Sequence, residues 1–506
     1  MALLLVTFLS GCALPSLEGR EPSSSLSVAE TRDTGLGRAI DPRARRHPWL
    51  SGVYPLPDPH DAFASRVLLA LAAERTLDVQ YYIWHGDVTG TLLLRALYQA
   101  AERGVRVRLL LDDNGTSGLD EDLAALALHA NIQIRLFNPF LVRNPKWLGY
   151  LYDFSRLNRR MHNKAFIADN QAVIAGGRNV GDEYFGASDG MLFSDLDVLL
   201  VGEVVDSVSR DFDRYWRSRS AYPVERILAA PGEGALAAFA DRVEALKASP
   251  AAMDYQRAIE RSDLVSRLRG RSLAMEWAPV KMISDDPAKG LGAAAPEGLL
   301  IHQMEEALGA PSRSLSLVSP YFVPTAEGTE AFTRMRERGI AVRVLTNSLA
   351  ATDVSAVHAG YEKRRKALLR AGVKLFEARR LSASSKRNES AGLFGSSGSS
   401  LHAKTFSVDG ERVFVGSFNF DPRSANLNTE LGFLIHSPPL AARIENMFDT
   451  VVPVNAYSVH LDEDGDLYWL ERNDGETLRH DKEPRTSVWR RGWVRFVSWL
   501  PVEWLL

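Results

Sequence analysis

One nine-residue pattern occurs twice in this chain, and it limits the fold more than any other feature. Met161-His162-Asn163-Lys164-Ala165-Phe166-Ile167-Ala168-Asp169 is answered by Leu401-His402-Ala403-Lys404-Thr405-Phe406-Ser407-Val408-Asp409, and both read H-x-K-x-x-x-x-D. His402 lies 240 positions after His162. Two further landmarks keep nearly that spacing. Glu102-Arg103-Gly104-Val105-Arg106-Val107 returns 235 positions later as Glu337-Arg338-Gly339-Ile340-Ala341-Val342, and Leu77-Asp78-Val79 with Tyr81 or Tyr82 returns 238 positions later as Leu315-Ser316-Leu317-Val318 with Tyr321. A near-constant offset over three landmarks marks duplication of a whole domain.

Within the first copy, apolar periodicity predicts a helix over 61–74, a strand over Leu77–Trp84, a helix over Leu92–Arg103 stopped by Gly104, and a strand over Val105–Leu111. This β-α-β rhythm predicts parallel strand pairs covered by helices. The expected fold is therefore α/β, with two pseudo-repeated lobes, each a mixed sheet covered by helices, and one active site at their interface. The first lobe is expected over 51–220, with its motif region at 156–183, and the second over 301–450, with its motif region at 396–423. Residues 221–300 are Ala-rich, with a helical stretch at Ala237–Lys247 and a flexible end at Gly290–Pro296. They read as a segment strapping the halves together. The Ser- and Gly-rich Ser382–Ser400 reads as a long loop just before the second motif, a position where such loops often serve function.

In a strand, His and Lys two residues apart share a face, so each copy is expected to aim an imidazole and an ammonium into one cleft. Asp169 and Asp409 then fall at turns and read as braces of the motif loops. Each copy is followed by a Gly-x-x-Asn pattern, Gly176-Gly177-Arg178-Asn179 and Gly416-Ser417-Phe418-Asn419. Its glycine admits a close ligand, and Asn179 and Asn419 can donate to a phosphate oxygen. Asp195 and Glu430 occupy matching places further on, where a carboxylate can hold the imidazole of the same or the other half in its reactive tautomer. No His, Cys and carboxylate cluster with metal-ligand spacing appears, so no metal and no cofactor is expected. Sixty Lys plus Arg against 63 Asp plus Glu, net -3, create no basic field, so a nucleic-acid partner is not expected.

These residues resemble the phospholipase D superfamily, whose members carry the H-x-K-x-x-x-x-D motif twice. Leu77–Trp84, Leu109–Asn114, Arg135–Phe140, Asp153–Arg160 and Gly176–Phe185 are similar to the bacterial cardiolipin synthase C branch, so the resemblance covers nearly everything after residue 60. It implies a phosphatidyltransferase that makes cardiolipin from phosphatidylglycerol and a second phospholipid, phosphatidylethanolamine in that branch. The reaction would pass through a phosphohistidine, with Lys164, Lys404, Asn179 and Asn419 on the anionic oxygens; the resemblance makes His162 the nucleophile and His402 the acid, an order that the pseudo-symmetric sequence itself leaves open. A phospholipase D or nuclease using water is the alternative within the same chemistry. A non-catalytic lipid-binding protein is the alternative outside it. Tyr81, Tyr82, Trp84, Tyr321 and Phe322 end strands near the expected cleft and are candidates for lining a lipid channel.

The ends of the chain point to a membrane surface. Leu3–Leu9 is too short an apolar run to span a bilayer, which needs ~20 residues. With Leu9-Ser10-Gly11-Cys12 it resembles a lipoprotein signal, 1–12, that leaves Cys12 lipid-modified. Residues 13–50, without helical or strand periodicity, read as a tether. In the C-terminal extension, 451–506, a helix would gather Trp489, Trp493, Phe496, Val497 and Leu500 on one face opposite Arg491, Arg495 and Ser498, which suits a lipid headgroup region. The expected location is the bacterial cell envelope, at a membrane.

Overall fold

The computed structural model describes residues 14–187, 193–269, 273–380, 400–473, 475–501 and 503–506. The lipoprotein-like Leu9-Ser10-Gly11-Cys12 and the Ser/Gly-rich run 382–399 lie outside the described residues.

The first lobe contains β1 (Ser51–Leu56), β2 (Thr76–Ile83), β3 (Arg106–Gly115), β4 (Ile132–Phe137), β5 (Ala165–Ala168), β6 (Ala172–Gly176), β7 (Phe193–Ser194), β8 (Asp197–Gly202), β9 (Ala221–Pro223) and β10 (Glu276–Ala278). The second contains β11 (Val280–Ser284), β12 (Ser314–Val318), β13 (Ala341–Asn347), β14 (Lys374–Ala378), β15 (Ser400–Leu401), β16 (Thr405–Val408), β17 (Arg412–Gly416), β18 (Leu431–His436), β19 (Ala456–Leu461), β20 (Leu467–Asn473) and β21 (Glu476–His480). One sheet runs β10-β1-β8-β6-β5-β2-β3-β4-β9 and the other β11-β18-β17-β16-β12-β13-β14-β19-β20-β21. The run β8-β6-β5-β2-β3-β4-β9 thus matches β18-β17-β16-β12-β13-β14-β19 strand for strand, the structural form of the duplication. β2, β3 and β4 are mutually parallel, as are β12, β13 and β14. β5 and β16 join them antiparallel.

The sheets are covered on both faces, and their strands alternate which core they feed. In β5, Phe166 and Ala168 enter the outer core of the first lobe, whereas Ala165 and Ile167 enter a core shared with the second. That shared core joins Val413, Val415, Phe433 and Ile435 of the second sheet to Val208 and Phe212 of helix Val204–Arg217 and to Ile444 and Phe448 of helix Pro438–Thr450. A separate core fills the outer face of the second sheet. The lobes are thus joined through buried apolar surface, the dominant favourable contribution to association.

Three segments depart from their sequence readings. Residues 14–50 are not a free tether. They lie along the first lobe, where the Arg20 guanidinium donates to the carbonyls of Ser218 and Ala221 at 2.7 and 2.9 Å and Ser25 donates to Asp78 and Asp213. Part of this segment forms the helix Gly35–Ala44. The buried carboxylate of Asp78 needs these partners, a demand that the segment's own periodicity does not display. The connecting segment does more than strap, because β10 extends one sheet and β11 the other. Its end is held rather than flexible: Gly290 presents its carbonyl to Asn138 Nδ2 at 2.7 Å, and a Cβ there would lie 2.7 Å from the Phe137 ring.

Candidate active site

Each motif enters the site on backbone borrowed from the opposite lobe. His162 N donates to Thr429 O at 2.9 Å, and Thr429 N to Arg160 O at 2.9 Å. In the other copy, His402 N and Ala403 N both donate to Ser194 O, at 2.8 and 3.0 Å, beside the short parallel pair of β7 with β15. Hence His162 and Lys164, like His402 and Lys404, sit not inside a strand but in the extended residues just before β5 and β16. A pair of matched side chains at the ends of β3 and β13 anchors these residues from below. Asp112 accepts from Met161 N at 2.7 Å and pairs with buried Arg160 at 2.6 Å, while Asn347 exchanges bonds with the backbone of Leu401 at 2.9 and 3.2 Å.

The carboxylates cross over. Glu430 of the second lobe takes His162 Nδ1 at 2.8 Å, and Asp195 of the first takes His402 Nδ1 at 2.5 Å. In each case the carboxylate takes Nδ1, so Nε2 is the nitrogen on the other side of the ring. The site is packed tightly behind these carboxylates: a Cβ on Gly177 would lie 2.0 Å from Asp195 Oδ1, while Ser417, its counterpart, uses its hydroxyl to hold Glu430. Lys164 Nζ donates to His162 O at 2.6 Å and Lys404 Nζ to His402 O at 2.5 Å, with Lys404 Nζ also 3.0 Å from each ring nitrogen of His402. Tyr82 stacks edge-on against His162 with centroids 4.9 Å apart, and Tyr184 against His402 at 5.3 Å.

Asp169 and Asp409 sit at the opposite ends of β5 and β16, away from the histidines. Both adopt the left-handed backbone that Asp tolerates in turns, φ 48° and 58°. Asp169 accepts from the backbone N–H of Glu74, Arg75 and Thr76, and Asp409 from those of Ser312, Arg313 and Ser314. Asn179 Nδ2 donates to Tyr184 Oη at 3.0 Å and its Oδ1 accepts from Ile83 N, whereas buried Asn419 Oδ1 has no hydrogen-bond partner among the described residues. Of the strand-end aromatics, Tyr81, Trp84 and Phe322 are core residues: alternation sends Tyr81 and Phe322 to the face opposite Tyr82 and Tyr321, and Trp84 joins the core of Tyr81 beyond the register irregularity of β2 between Tyr81 and Ile83.

Burial and mutual repulsion dominate the electrostatics. His162 is held well below its ordinary pKa by burial, then by Lys164, Lys404 and His402. Lys164 is likewise held well below by burial, against the pull of Glu430. Burial lowers Lys404 to about 8, and it lowers His402 too, although Asp195 opposes the second shift. The carboxylates differ. Burial would raise Asp195, but His402, Lys404 and Arg178 hold it below the usual carboxylate range. Burial lifts Glu430 to about 7 in spite of Lys164 and Ser417. The two halves are thus chemically unequal.

Among the described residues, His85, Asp87 and Glu183 form one group with metal-ligand types in reach of each other. Asp87 takes the backbone N–H of Gly90 and Asp182, and Glu183 pairs with His85 at 3.1 Å. Sequence reasoning did not assign Tyr184, Ser417, Asp112 or Asn347 to the site. The only signal was positional, Asp112 and Asn347 closing equivalent strands and Ser417 standing where the first copy has Gly177.

Comparison with known proteins agrees with this duplicated plan. A family profile described as "Cardiolipin synthase, PLD-like domain" matches residues 68–216 and again 300–452. The chain is 49% identical over 475 residues to cardiolipin synthase C of Escherichia coli (strain K12), spanning 93% of this chain and 99% of that one. It is 33% identical over 450 residues to an uncharacterized protein of Helicobacter pylori (strain ATCC 700392 / 26695), spanning 88% of each. Among solved structures, phosphatidylserine synthase of Haemophilus influenzae Rd KW20 shares the fold, with a TM-score of 0.55 and 14% identity over 84% of this chain and 91% of that one.

Proposed function

The chain belongs to the cardiolipin synthase family of phospholipase D-like proteins, and from that premise we propose that it is a phosphatidyltransferase making cardiolipin from phosphatidylglycerol and a second phospholipid. The observation that carries this reading is the convergence of both His-Lys pairs on one buried site, each histidine held by the other lobe's carboxylate.

In the proposed mechanism, neutral His162 attacks the phosphodiester phosphorus through Nε2, and a P–N bond forms as the P–O bond to the leaving alcohol breaks. Protonated His402 gives its Nε2 proton to that alcohol. The incoming lipid hydroxyl then passes its proton to His402 and attacks phosphorus, breaking the P–N bond and restoring both rings. The inequality of the carboxylates supports this assignment. Ionised Asp195 favours the charged form of His402, whereas Glu430, near 7, gives His162 less reason to hold a proton. Lys164 and Lys404 neutralise the oxygens of phosphorus in the transition state.

Membrane attachment is part of the proposal. Helix Val488–Trp499 docks on the second lobe through Val494 and Val497, against Leu349 and Ala359, yet leaves Trp489 89% and Trp499 77% exposed, with Trp493 and Phe496 beside them. An outward apolar aromatic face on a docked helix suits a headgroup region. A lipid chain on Cys12 would supply the second attachment, since stable anchoring usually takes two signals. Cys12→Ser should lose palmitate label and, combined with W489S/W493S, move to the soluble fraction. A double-site variant that stays wholly with membranes contradicts both attachments.

The test of function is lipid mass spectrometry of a host lacking its own cardiolipin synthases, with and without this chain. Cardiolipin is expected with the wild type and absent with His162→Ala or His402→Ala. Phosphatidic acid without cardiolipin would identify a hydrolase instead.

A further inference from the structure

The two sides of the catalytic cleft are not equivalent, and the difference lies where a substrate headgroup would enter. Tyr321 follows β12, and the bridge between Phe322 and Phe420 sets it beside Asn419. The corresponding bridge in the first lobe joins Trp84 to Val180, so Ile83 stands where the second lobe has Tyr321. Asp353 lies in the loop after β13, at the same end of the sheet as the Asn347 contact to Leu401, next to His402. Tyr321 Oη lies 2.8 Å from both carboxylate oxygens of Asp353. The first lobe has no such pair at the equivalent place.

A solvent-facing carboxylate beside a phosphate site is a liability unless it does something, because it repels the anion that the lysines attract. Local structure gives Asp353 little to do. The helix Ser355–Arg370 begins after Val354 without a side-chain cap, so Asp353 does not cap it. The nearby Arg490 guanidinium donates to Thr352 O and Ser355 Oγ rather than to the carboxylate. Among the described residues, Asp353 has no Lys, Arg or His partner within ion-pair distance. Its charge nonetheless reaches the site, favouring the protonated form of Lys404 and opposing ionisation of Tyr184. On the other side of the cleft, burial raises Tyr82 and Tyr150, and the charges acting on them are Asp112, Arg160 and Arg423, with no counterpart of Asp353.

We propose that Asp353, positioned by Tyr321, is a subsite for the ammonium of an amine-bearing phospholipid headgroup. A carboxylate accepts about four hydrogen bonds, and the Tyr321 hydroxyl can supply only one, leaving room for the ammonium donors. Aromatic faces nearby add the surroundings in which cations are held well. The charge of the amine offsets that of Asp353, so the phosphate of such a lipid reaches Lys164 and Lys404 without the repulsion that an anionic headgroup meets. The inference rests on the reading that this cleft works on phospholipids, and it names the specificity element within it.

The test is a competition in phosphatidylglycerol vesicles carrying equal amounts of phosphatidylethanolamine and its N-acetyl derivative, in which a neutral amide replaces the ammonium. Consumption of each is followed by mass spectrometry for the full chain and for Asp353→Asn and Asp353→Glu, with thermal melting to confirm folding. The wild type is expected to consume the amine lipid about tenfold faster or more, the size of one charge-assisted hydrogen bond. Asp353→Asn should bring the ratio close to one, and Asp353→Glu should restore most of it. An unchanged ratio in folded Asp353→Asn overturns the subsite. The same spectra show whether the consumed lipid leaves as cardiolipin or as phosphatidic acid. A shifted ratio with phosphatidic acid alone would keep the subsite and overturn phosphatidyl transfer.

Discussion

Asp195→Asn and Glu430→Gln remove equivalent carboxylates from the two histidines, yet they should have unequal effects. Asp195 is ionised, and its Oδ2 lies 2.5 Å from His402 Nδ1, a charge-assisted hydrogen bond in a buried site. Losing such a bond costs ~1.5–3 kcal/mol, which at ~1.4 kcal/mol per decade is a rate loss of roughly 10- to 100-fold. The amide also ceases to enforce the tautomer that leaves Nε2 facing the substrate, and in a Ser-His-Asp triad the same change costs ~10⁴-fold. Asp195→Asn should therefore fall to about 10⁻³ of wild-type kcat or below at pH 7. Glu430 is pushed up to about 7, so near neutrality about half of the protein already carries a protonated Glu430, which Gln imitates. Glu430→Gln should lose only about 10-fold at pH 7. The gap from wild type should narrow below pH 6, where wild-type Glu430 is protonated and resembles the amide, and widen above pH 8, where it is ionised. Initial rates on labelled phosphatidylglycerol vesicles from pH 5.5 to 9, with melting curves for both variants, provide the measurement. If Glu430→Gln is as damaging at pH 7 as Asp195→Asn, the inequality of the halves is wrong and with it the assignment of the acid to His402.

A phosphodiester with a nitrophenol leaving group needs no proton from an acid. On that substrate His402→Ala should recover at least about 100-fold of its deficit, as general acid catalysis is typically worth 10²–10⁴, and His162→Ala should recover nothing; the reverse pattern would exchange their roles. Asp409→Asn should lower the melting temperature, with a cost of ~1–3 kcal/mol for weakened backbone partners, while leaving kcat within about threefold. Because its backbone donors hold Asp409 at about 2, below the ordinary value of ~4, this stabilisation is present above pH 4 and disappears as pH falls through 2; equal melting of variant and wild type at pH 6 would contradict the brace. Turnover should survive exhaustive chelation, since Lys164 and Lys404 stand at the phosphate; loss restored by one divalent ion would refute this.

The repeated motif made two lobes legible, since a constant offset survives without any three-dimensional information. The offset carries no information about which carboxylate meets which histidine. Asp195 and Glu430 were recognisable as candidates, but their partners lie 207 and 268 positions away across the lobe interface. The strand reading of His162 failed for the same reason, because its backbone pairs with Thr429 of the other lobe, and β5 starts only after Lys164. Tyr81 and Tyr82 were interchangeable as neighbouring aromatics. One residue of register then put Tyr81 in the core beside Arg66 and Tyr82 against His162. The segment 14–50 showed no long periodicity because it is held largely by bonds such as those of Ser25 to Asp78 and Asp213, with only Leu36 and Ile40 of its short helix packed on the core.

The crossed carboxylates make the site a property of the pair of lobes, with a consequence for how it is charged. Two lysines and two histidines are buried together, and burial above all lowers each of them, so the site holds fewer protons than four isolated groups would. A phosphodiester anion entering between them reverses that balance, since an opposite charge at contact favours each cationic form. In the proposed mechanism Lys404, held at about 8, becomes fully charged, and His402, favoured by Asp195, takes up the proton for the leaving alcohol. His162 is buried more unfavourably for charge and held by a carboxyl that is itself half protonated, so it remains the neutral partner. By the proposed mechanism, substrate binding arms the acid while leaving the nucleophile unprotonated. A pseudo-symmetric pair of motifs can do this only because Asp195 and Glu430, the residues exchanged between the lobes, are not alike.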